Sequence, residues 1–421
     1  MTASAPKGSD DIITDGSELI EPSYYRDHGP PHEIWSRLRA ESPVHRCQPP
    51  GYGPFWAITK HADICRVGKD PDTFLNHPGI TIQPQNQQID RESGIGAMRT
   101  IIEMDPPRHR DFRKVASPYF TPRALRPVES IVAQSARELV DELARRDGEC
   151  DFAMDVAVAH PLRVLSTILG LPREQEPRVL ELTNQLFAID DAELGLKGED
   201  RDAAIQKLGL ELFQMFQPII EDRRANPRDD LASVLANGRV NGELMGPMET
   251  LGYYLITFTA GHDTTKNALA GGMHALLRNP GEFAKLRANP GLVKSAVEEV
   301  VRWTSPVNYM KRTAAKAAVV GGQAISEGDE LILFYGSGNR DEEVFDDPFS
   351  FRVDREGNRH IGFGHGEHFC LGSHLARRSQ AALLSELARR VEFVEQAGPE
   401  QWIEASFVIG LQHLPMRYRM V

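Results

Sequence analysis

The stretch FGHGEHFCLG, from Phe363 to Gly372, constrains the chain more than any other. It sets one cysteine, Cys370, in a glycine-rich loop that runs directly into LGSHLARRSQAALLSELARR. There Leu375, Ala376, Leu383, Leu384, Leu387 and Ala388 recur at helical spacing, which predicts a helix starting just after the sulfur. Unpaired amides and the positive end of a helix dipole favour thiolate over thiol at such a place. Gly364, Gly366 and Gly372 remove side chains around the sulfur, so a large flat group can approach the backbone. A thiolate presented this way suits an axial metal ligand or a nucleophile. A cysteine before a helix is also often a buried, inert packing residue.

A group that large needs a chain able to enclose it, and 421 residues suffice, as one large domain or two to three ordinary ones. Lys and Arg number 48 against 60 Asp and Glu, a net charge of -12, which argues against nucleic acid as a partner. Cys47, Cys65, Cys150 and Cys370 form no C-x-x-C pair and no zinc spacing. That points away from a disulfide framework and towards a reducing cytoplasm. The polar, acidic N-terminus lacks the apolar core of a signal peptide, and no window approaches the ~18 apolar residues of a membrane span.

Residues 1–28 read as a flexible arm ahead of one domain, 29–421. Pro31–Pro43 reads as a helix closed by proline, Gly53–Lys60 as a strand, and HADICRVGKD as another helix. Gly79–Gly96 has no period and reads as a surface loop of the kind that forms lids. From Met104, MDPPRHRDFRKVASPYF places Asp105 to cap a helix that begins at the prolines. His109 and Arg113 then lie one turn apart on one face, where they suit a carboxylate or form part of a solvated basic face. Arg108, Arg110 and Lys114 make a basic patch beside them. Pro127–Arg146 carries a helical core stripe, and Phe152–Leu169 reads as a helix kinked at Pro161. Gln175–Ile189 and Ala203–Arg224 read as helices joined by an acidic link, Asp190–Asp200.

Met248–Leu277 reads as one long helix with AGHDTT, Ala260–Thr265, in its middle. Gly261 there is unfavourable by ~1 kcal/mol against alanine, and Asp263, Thr264 and Thr265 are weak helix formers. Local rules broken inside a long helix mark either a kink or a functional site. Beyond it, EEVVRW sets Glu299 and Arg302 one turn apart, and Arg355 follows in FSFRVDR. The segment from Ser305 to Phe345 alternates apolar runs with glycine turns and reads as a small sheet. The C-terminal AGPEQWIEASFVIGLQHLPMRYRM reads as a hairpin.

Four patterns now stand together: F-x-x-G-x-x-x-C-x-G at Phe363, Gly366, Cys370 and Gly372; A-G-x-D-T at Ala260, Gly261, Asp263 and Thr264; H-x-x-x-R at His109 and Arg113; and E-x-x-R at Glu299 and Arg302. From about Ala40 to Met420 the chain resembles the cytochrome P-450 superfamily, the haem-thiolate monooxygenases, in their soluble bacterial form. The resemblance implies a mainly α fold with a smaller β-rich part, its long central helix lying over haem b (iron protoporphyrin IX). It implies Cys370 as the iron ligand, with His109, Arg113, Ala260, Gly261, Arg312, Phe363, His368 and Gly372 around the cofactor. Asp263 and Thr264 would organise a proton relay, Gly261 letting the helix backbone open. Glu299, Arg302 and Arg355 would form a buried network behind the cysteine loop. Val307, Phe407 and Val408 would line the substrate pocket.

The implied reaction inserts one atom of O2 into a C–H bond of a small apolar substrate. GYGPFWAITKHADI, DGECDF, VRWTSPV and NRDEEVF look most like enzymes acting on terpenoids, alkylbenzenes or similar hydrocarbons. Sterol side-chain hydroxylation and a peroxide-driven peroxygenase are the alternatives, the latter opposed by the Asp263–Thr264 pair. The chain carries no dinucleotide fingerprint and no ferredoxin cysteine set. Electrons are therefore expected from a ferredoxin and a ferredoxin reductase, with NAD(P)H used only indirectly, docking through Arg108, Arg110, Lys114 and Arg377.

Overall fold

The computed structural model describes residues 13–85, 100–187 and 201–421. Six helices position the site: α1 Arg108–Ala116, α2 Arg126–Ala144, α3 Ala159–Ile168, α4 Pro247–Arg278, α5 Val293–Thr304 and α6 Ser373–Arg390. α4 starts cleanly because Pro247 needs no amide partner in the first turn and Glu249 accepts from the Gly246 amide at 2.9 Å. Its apolar residues serve two cores. Leu251, Tyr254 and Phe258 pack into one with α3, while Leu269, Met273 and Leu276 pack into another with α5 and α6. Each such side chain is worth about 1.5–3 kcal/mol when buried, so α4 is the shared wall on which both cores depend. Among the described residues no helix is long and apolar enough to cross a membrane.

The strands are β1 Val44–Cys47, β2 Phe55–Ile58, β3 Phe74–Leu75, β4 Glu149–Asp151, β5 Tyr309–Ala314, β6 Glu330–Phe334, β7 Val391–Gln396 and β8 Pro415–Met420. One sheet runs β1-β2-β6-β5-β3 and a second runs β7-β8-β4. β6 pairs parallel with β2, Leu331 opposite Trp56, and antiparallel with β5, Leu331 opposite Arg312. Arg312 thus lies within the sheet, on a strand flanked by β6 and β3. The fold is mainly helical with a smaller β part, as expected.

Three local expectations need correction. The arm is not loose from residue 13 onward: Ser17–Ile20 and Pro22–His28 are helical, and Leu19, Ile20 and Tyr25 are buried. These few apolar side chains cover the sheet beside Trp35 and Phe55, and the Tyr25 hydroxyl donates to Leu19 O and accepts from Asn308 Nδ2, both at 2.8 Å. Pro161 does not kink a long helix. It lies in the first turn of α3, where a missing N–H costs nothing, and the break is a π turn at Ala153–Ala157. Asp105 does not cap α1; its carboxylate accepts from the amides of Asn76 and His77 at 2.8 and 3.0 Å. Of the expected loop, residues 86–96 lie outside the described residues, as does the link Asp190–Asp200.

Candidate active site

The Cys370 amide donates to Phe363 O at 2.9 Å and closes the cysteine loop. Gly366 adopts φ 79°, and a Cβ there would lie 2.0 Å from Gly68 O, so the loop can seat on the His61–Gly68 helix only with glycine. The residual exposure of Cys370 is to a cavity whose wall it forms. Burial pushes its thiol above the ordinary value, against the Gly372 amide and the Arg113 and Arg377 guanidiniums. The helix end alone therefore does not make this sulfur a thiolate, contrary to expectation, because desolvation outweighs it.

The cavity encloses about 1580 Å³ of space, part of it open to solvent. His109 and Arg113 reach it from α1, Arg312 from β5, Phe363, His368, Cys370 and Gly372 from the loop, and Ala260, Gly261 and Thr264 from α4. The eight residues expected around one cofactor thus line one cavity with the cysteine. His109 stacks on His368 at 4.0 Å between ring centroids. His109 Nδ1 and His368 Nε2 are buried without a hydrogen-bond partner. Burial and the neighbouring Arg113 hold His109 down at about 4; burial, His109 and the two arginines hold His368 at about 2. Arg113 donates to Phe369 O at 2.6 Å and Arg312 to Lys311 O at 2.8 Å. Among the described residues neither arginine has a carboxylate within ion-pair distance.

α4 stays α-helical through AGHDTT, so the expected opening at Gly261 is absent. The Thr264 hydroxyl donates back to Ala260 O at 2.7 Å, within the helix. Gly261 instead admits α3: a Cβ there would sit 3.0 and 3.2 Å from the Leu165 methyls. Thr264 lines the cavity; Asp263 does not. The Asp263 carboxylate turns to His262 Nδ1 at 3.2 Å and Lys266 Nζ at 3.5 Å. Burial raises its pKa, but Lys266 and His262 outweigh that and hold it below the usual carboxylate value. His262 and Lys266 escaped the sequence reading, although the three-residue step from Asp263 to Lys266 is an ion-pair spacing.

The profile of the Cytochrome P-450 family matches residues 70–420. The chain belongs to the cytochrome P-450 family. It is 36% identical to Cytochrome P-450-terp of a Pseudomonas species, over 95% of this chain and 96% of that protein. It is 34% identical to Linalool 8-monooxygenase of Pseudomonas putida, over 94% and 97%. The crystal structure of CYP108D1 from Novosphingobium aromaticivorans superposes with a TM-score of 0.90, at 36% identity, covering 97% of this chain and 98% of that one. The protein is a cytochrome P-450 monooxygenase, a haem-binding family.

Behind the loop, this cytochrome P-450 carries a closed ion network. Arg302 donates to both Glu299 oxygens at 2.7 and 2.8 Å, and Arg355 Nε reaches them at 3.0 and 3.1 Å. Arg355 also donates to the carbonyls of Asp346 and Ser350 at 2.6 Å, tying down the meander before the cysteine loop. Val307 lines the cavity, but Phe407 and Val408 do not. Val408 is spent on a β-bridge to Val307, and Phe407 packs edge-on against Tyr309 at 5.4 Å. The basic patch is not a row of free cations either. Arg108 pairs with Glu249, Arg110 with Glu367, Lys114 with Asp111 and Arg377 with Glu298.

Proposed function

We propose that this cytochrome P-450 hydroxylates a compact, uncharged terpene-type hydrocarbon, drawing electrons from a ferredoxin and its NAD(P)H-dependent reductase. The observation that carries the substrate class is where charge sits in the cavity. Ile101 and Ile102, the α3 residues Pro161, Val164 and Leu165, and every lining residue of α4 are uncharged. The guanidinium, imidazole and thiol lining groups come only from α1, β5 and the cysteine loop, and the two lining tyrosines, Tyr253 and Tyr335, are uncharged. A substrate facing the uncharged walls is held by shape and desolvation, with no anchor for a carboxylate. The names of the two Pseudomonas relatives support the terpene reading.

The residues present fit a haem. Buried Arg312 and half-buried Arg113, neither with an acid partner among the described residues, and two neutral imidazoles with a free nitrogen each suit a flat group bearing paired carboxylates. Cys370 would ligate the iron, Arg113, Arg312, His109 and His368 would hold the carboxylates, and Gly372 adds no side chain beside the sulfur. When bound, the haem supplies a thiolate-ligated iron that activates O2. The chain's own part is to orient the substrate against the α3 and α4 walls, exclude bulk water, and deliver protons by way of Asp263 and the Thr264 hydroxyl.

The test is a spectral binding screen of the purified protein with linalool, other terpenes, alkylbenzenes, fatty acids and steroids, followed by turnover under ¹⁸O2 with a ferredoxin pair. Low-to-high spin shifts with terpenes and one labelled oxygen in the product are expected. Shifts confined to fatty acids or steroids would move the substrate class. A reduced, carbon monoxide-treated protein without the red-shifted thiolate Soret band would remove Cys370 as ligand.

A further inference from the structure

Both ring nitrogens of His262 face acceptors. Nδ1 lies 3.2 Å from Asp263 Oδ1, and Nε2 lies 3.1 Å from the carbonyl of Val158, just before α3. A neutral imidazole donates through one nitrogen and accepts through the other, so it satisfies only one of these contacts. The ring is fully buried, and Phe258 stacks along it at 6.0 Å with planes 13° apart, which fixes its orientation. Lys266 is buried as well, and its Nζ lies 3.5 Å from the same Asp263 oxygen. Among the described residues no other charged side chain is within ion-pair distance of Asp263.

We propose that His262 holds a proton on Nδ1 against the Asp263 carboxylate, as a store from which Asp263 supplies the cavity side of α4. The inference rests on the reading of Asp263 and Thr264 as the proton route. In the transfer the Nδ1–H bond breaks as an Oδ1–H bond forms, and no electrons move. Asp263 passes that proton towards Thr264; the carboxylate, which keeps 13% of its side-chain surface exposed, then takes a replacement proton from solvent water and returns it to Nδ1. Lys266 sets the direction. A lasting carboxylic acid at Asp263 would leave the Lys266 ammonium buried without its counter-charge, so the carboxylate is restored after each transfer. His262 acts through Asp263 and does not itself line the cavity, which makes it a positioning residue.

The first test needs no turnover. In ¹⁵N-histidine-labelled holoenzyme, reduced and bound to carbon monoxide, the His262 signals are assigned by their loss in His262→Phe. Two protonated ring nitrogens are expected at pH 7, and one in Asp263→Asn. A single protonated nitrogen in the parent protein overturns the proposal. The second test measures product per NAD(P)H with linalool as the probe substrate. His262→Phe and His262→Gln are both expected to lose at least threefold, with an altered solvent isotope effect. Glutamine keeps an N–H donor but carries no titratable proton, so full coupling in His262→Gln would reduce His262 to a packing residue. If Asp263→Asn loses coupling while His262→Gln does not, only the store falls. If Asp263→Asn keeps its coupling, the proton route falls with it.

Discussion

Arg302 grips Glu299 with two parallel hydrogen bonds, and neither side chain has any exposed surface. Arg355 shares the same carboxylate, so one negative charge holds two buried positive ones. Glu299→Gln leaves both guanidiniums without a counter-charge. Breaking a buried pair this way costs roughly 3–5 kcal/mol. Denaturant unfolding should show a loss of that order, or no folded protein at all; a change under about 1 kcal/mol would put the network among ordinary surface pairs.

Arg113 and Arg312 are proposed to hold carboxylates that the chain itself does not provide. Arg113→Leu and Arg312→Leu should each release haem faster, by roughly tenfold or ~1.4 kcal/mol, as expected for one charge-assisted contact. Haem transfer to apomyoglobin reads the rate directly. Arg312→Leu should be the more severe, since Arg312 is buried while Arg113 is partly exposed.

Gly261 and Leu165 compete for one space. Alanine at 261 gains ~1 kcal/mol of helix propensity but overpacks by roughly 1–3 kcal/mol. The expected sum for Gly261→Ala is a destabilisation of up to ~2 kcal/mol. Adding Leu165→Val should recover it in a double-mutant cycle of unfolding free energies. Simple additivity of the two changes would show that the contact is not the constraint.

His160 ties three helices together: its ring meets Ser135 Oγ of α2 at 2.9 Å and Ser379 O of α6 at 3.0 Å. Burial holds the ring at about 4, below the ordinary 6.5. Below pH 6.5 the unfolded chain takes up a proton that the folded ring refuses until about pH 4. The ring therefore contributes stability at neutral pH that is lost as pH falls across that window, up to about 3 kcal/mol. His160→Gln should flatten the slope of unfolding free energy between those pH values relative to the parent protein.

What could be read from the sequence were features whose signal is local. The helix from Pro247 to Arg278, the cysteine loop and the Glu299–Arg302 step each lie within one short window, where periodicity and spacing report directly. The burial of Leu19, Ile20 and Tyr25 was invisible because three apolar residues make no period, and what covers them comes from Phe55, Phe334 and Asn308. Three of the basic patch's four pairings were invisible because Glu249, Glu298 and Glu367 lie on other elements, whereas the Asp111–Lys114 step within α1 is local. Phe407 and Val408 were misplaced because partners remote in sequence, Tyr309 for Phe407 and Val307 for Val408, decide where they sit. Asp263 was found, but which way its carboxylate turned depended on Val158 fixing His262 from the segment before α3.

The central helix has two faces with different occupants. Ala260, Gly261 and Thr264 form cavity wall, while His262, Asp263 and Lys266 bond among themselves and to the segment before α3. Because these sets interleave along one rigid rod, neither can slide or rotate without carrying the other. Selectivity can therefore diverge only by exchanging side chains in place. Substitutions on the cavity face of this rod can then change what a substrate meets while the proposed proton route keeps its place.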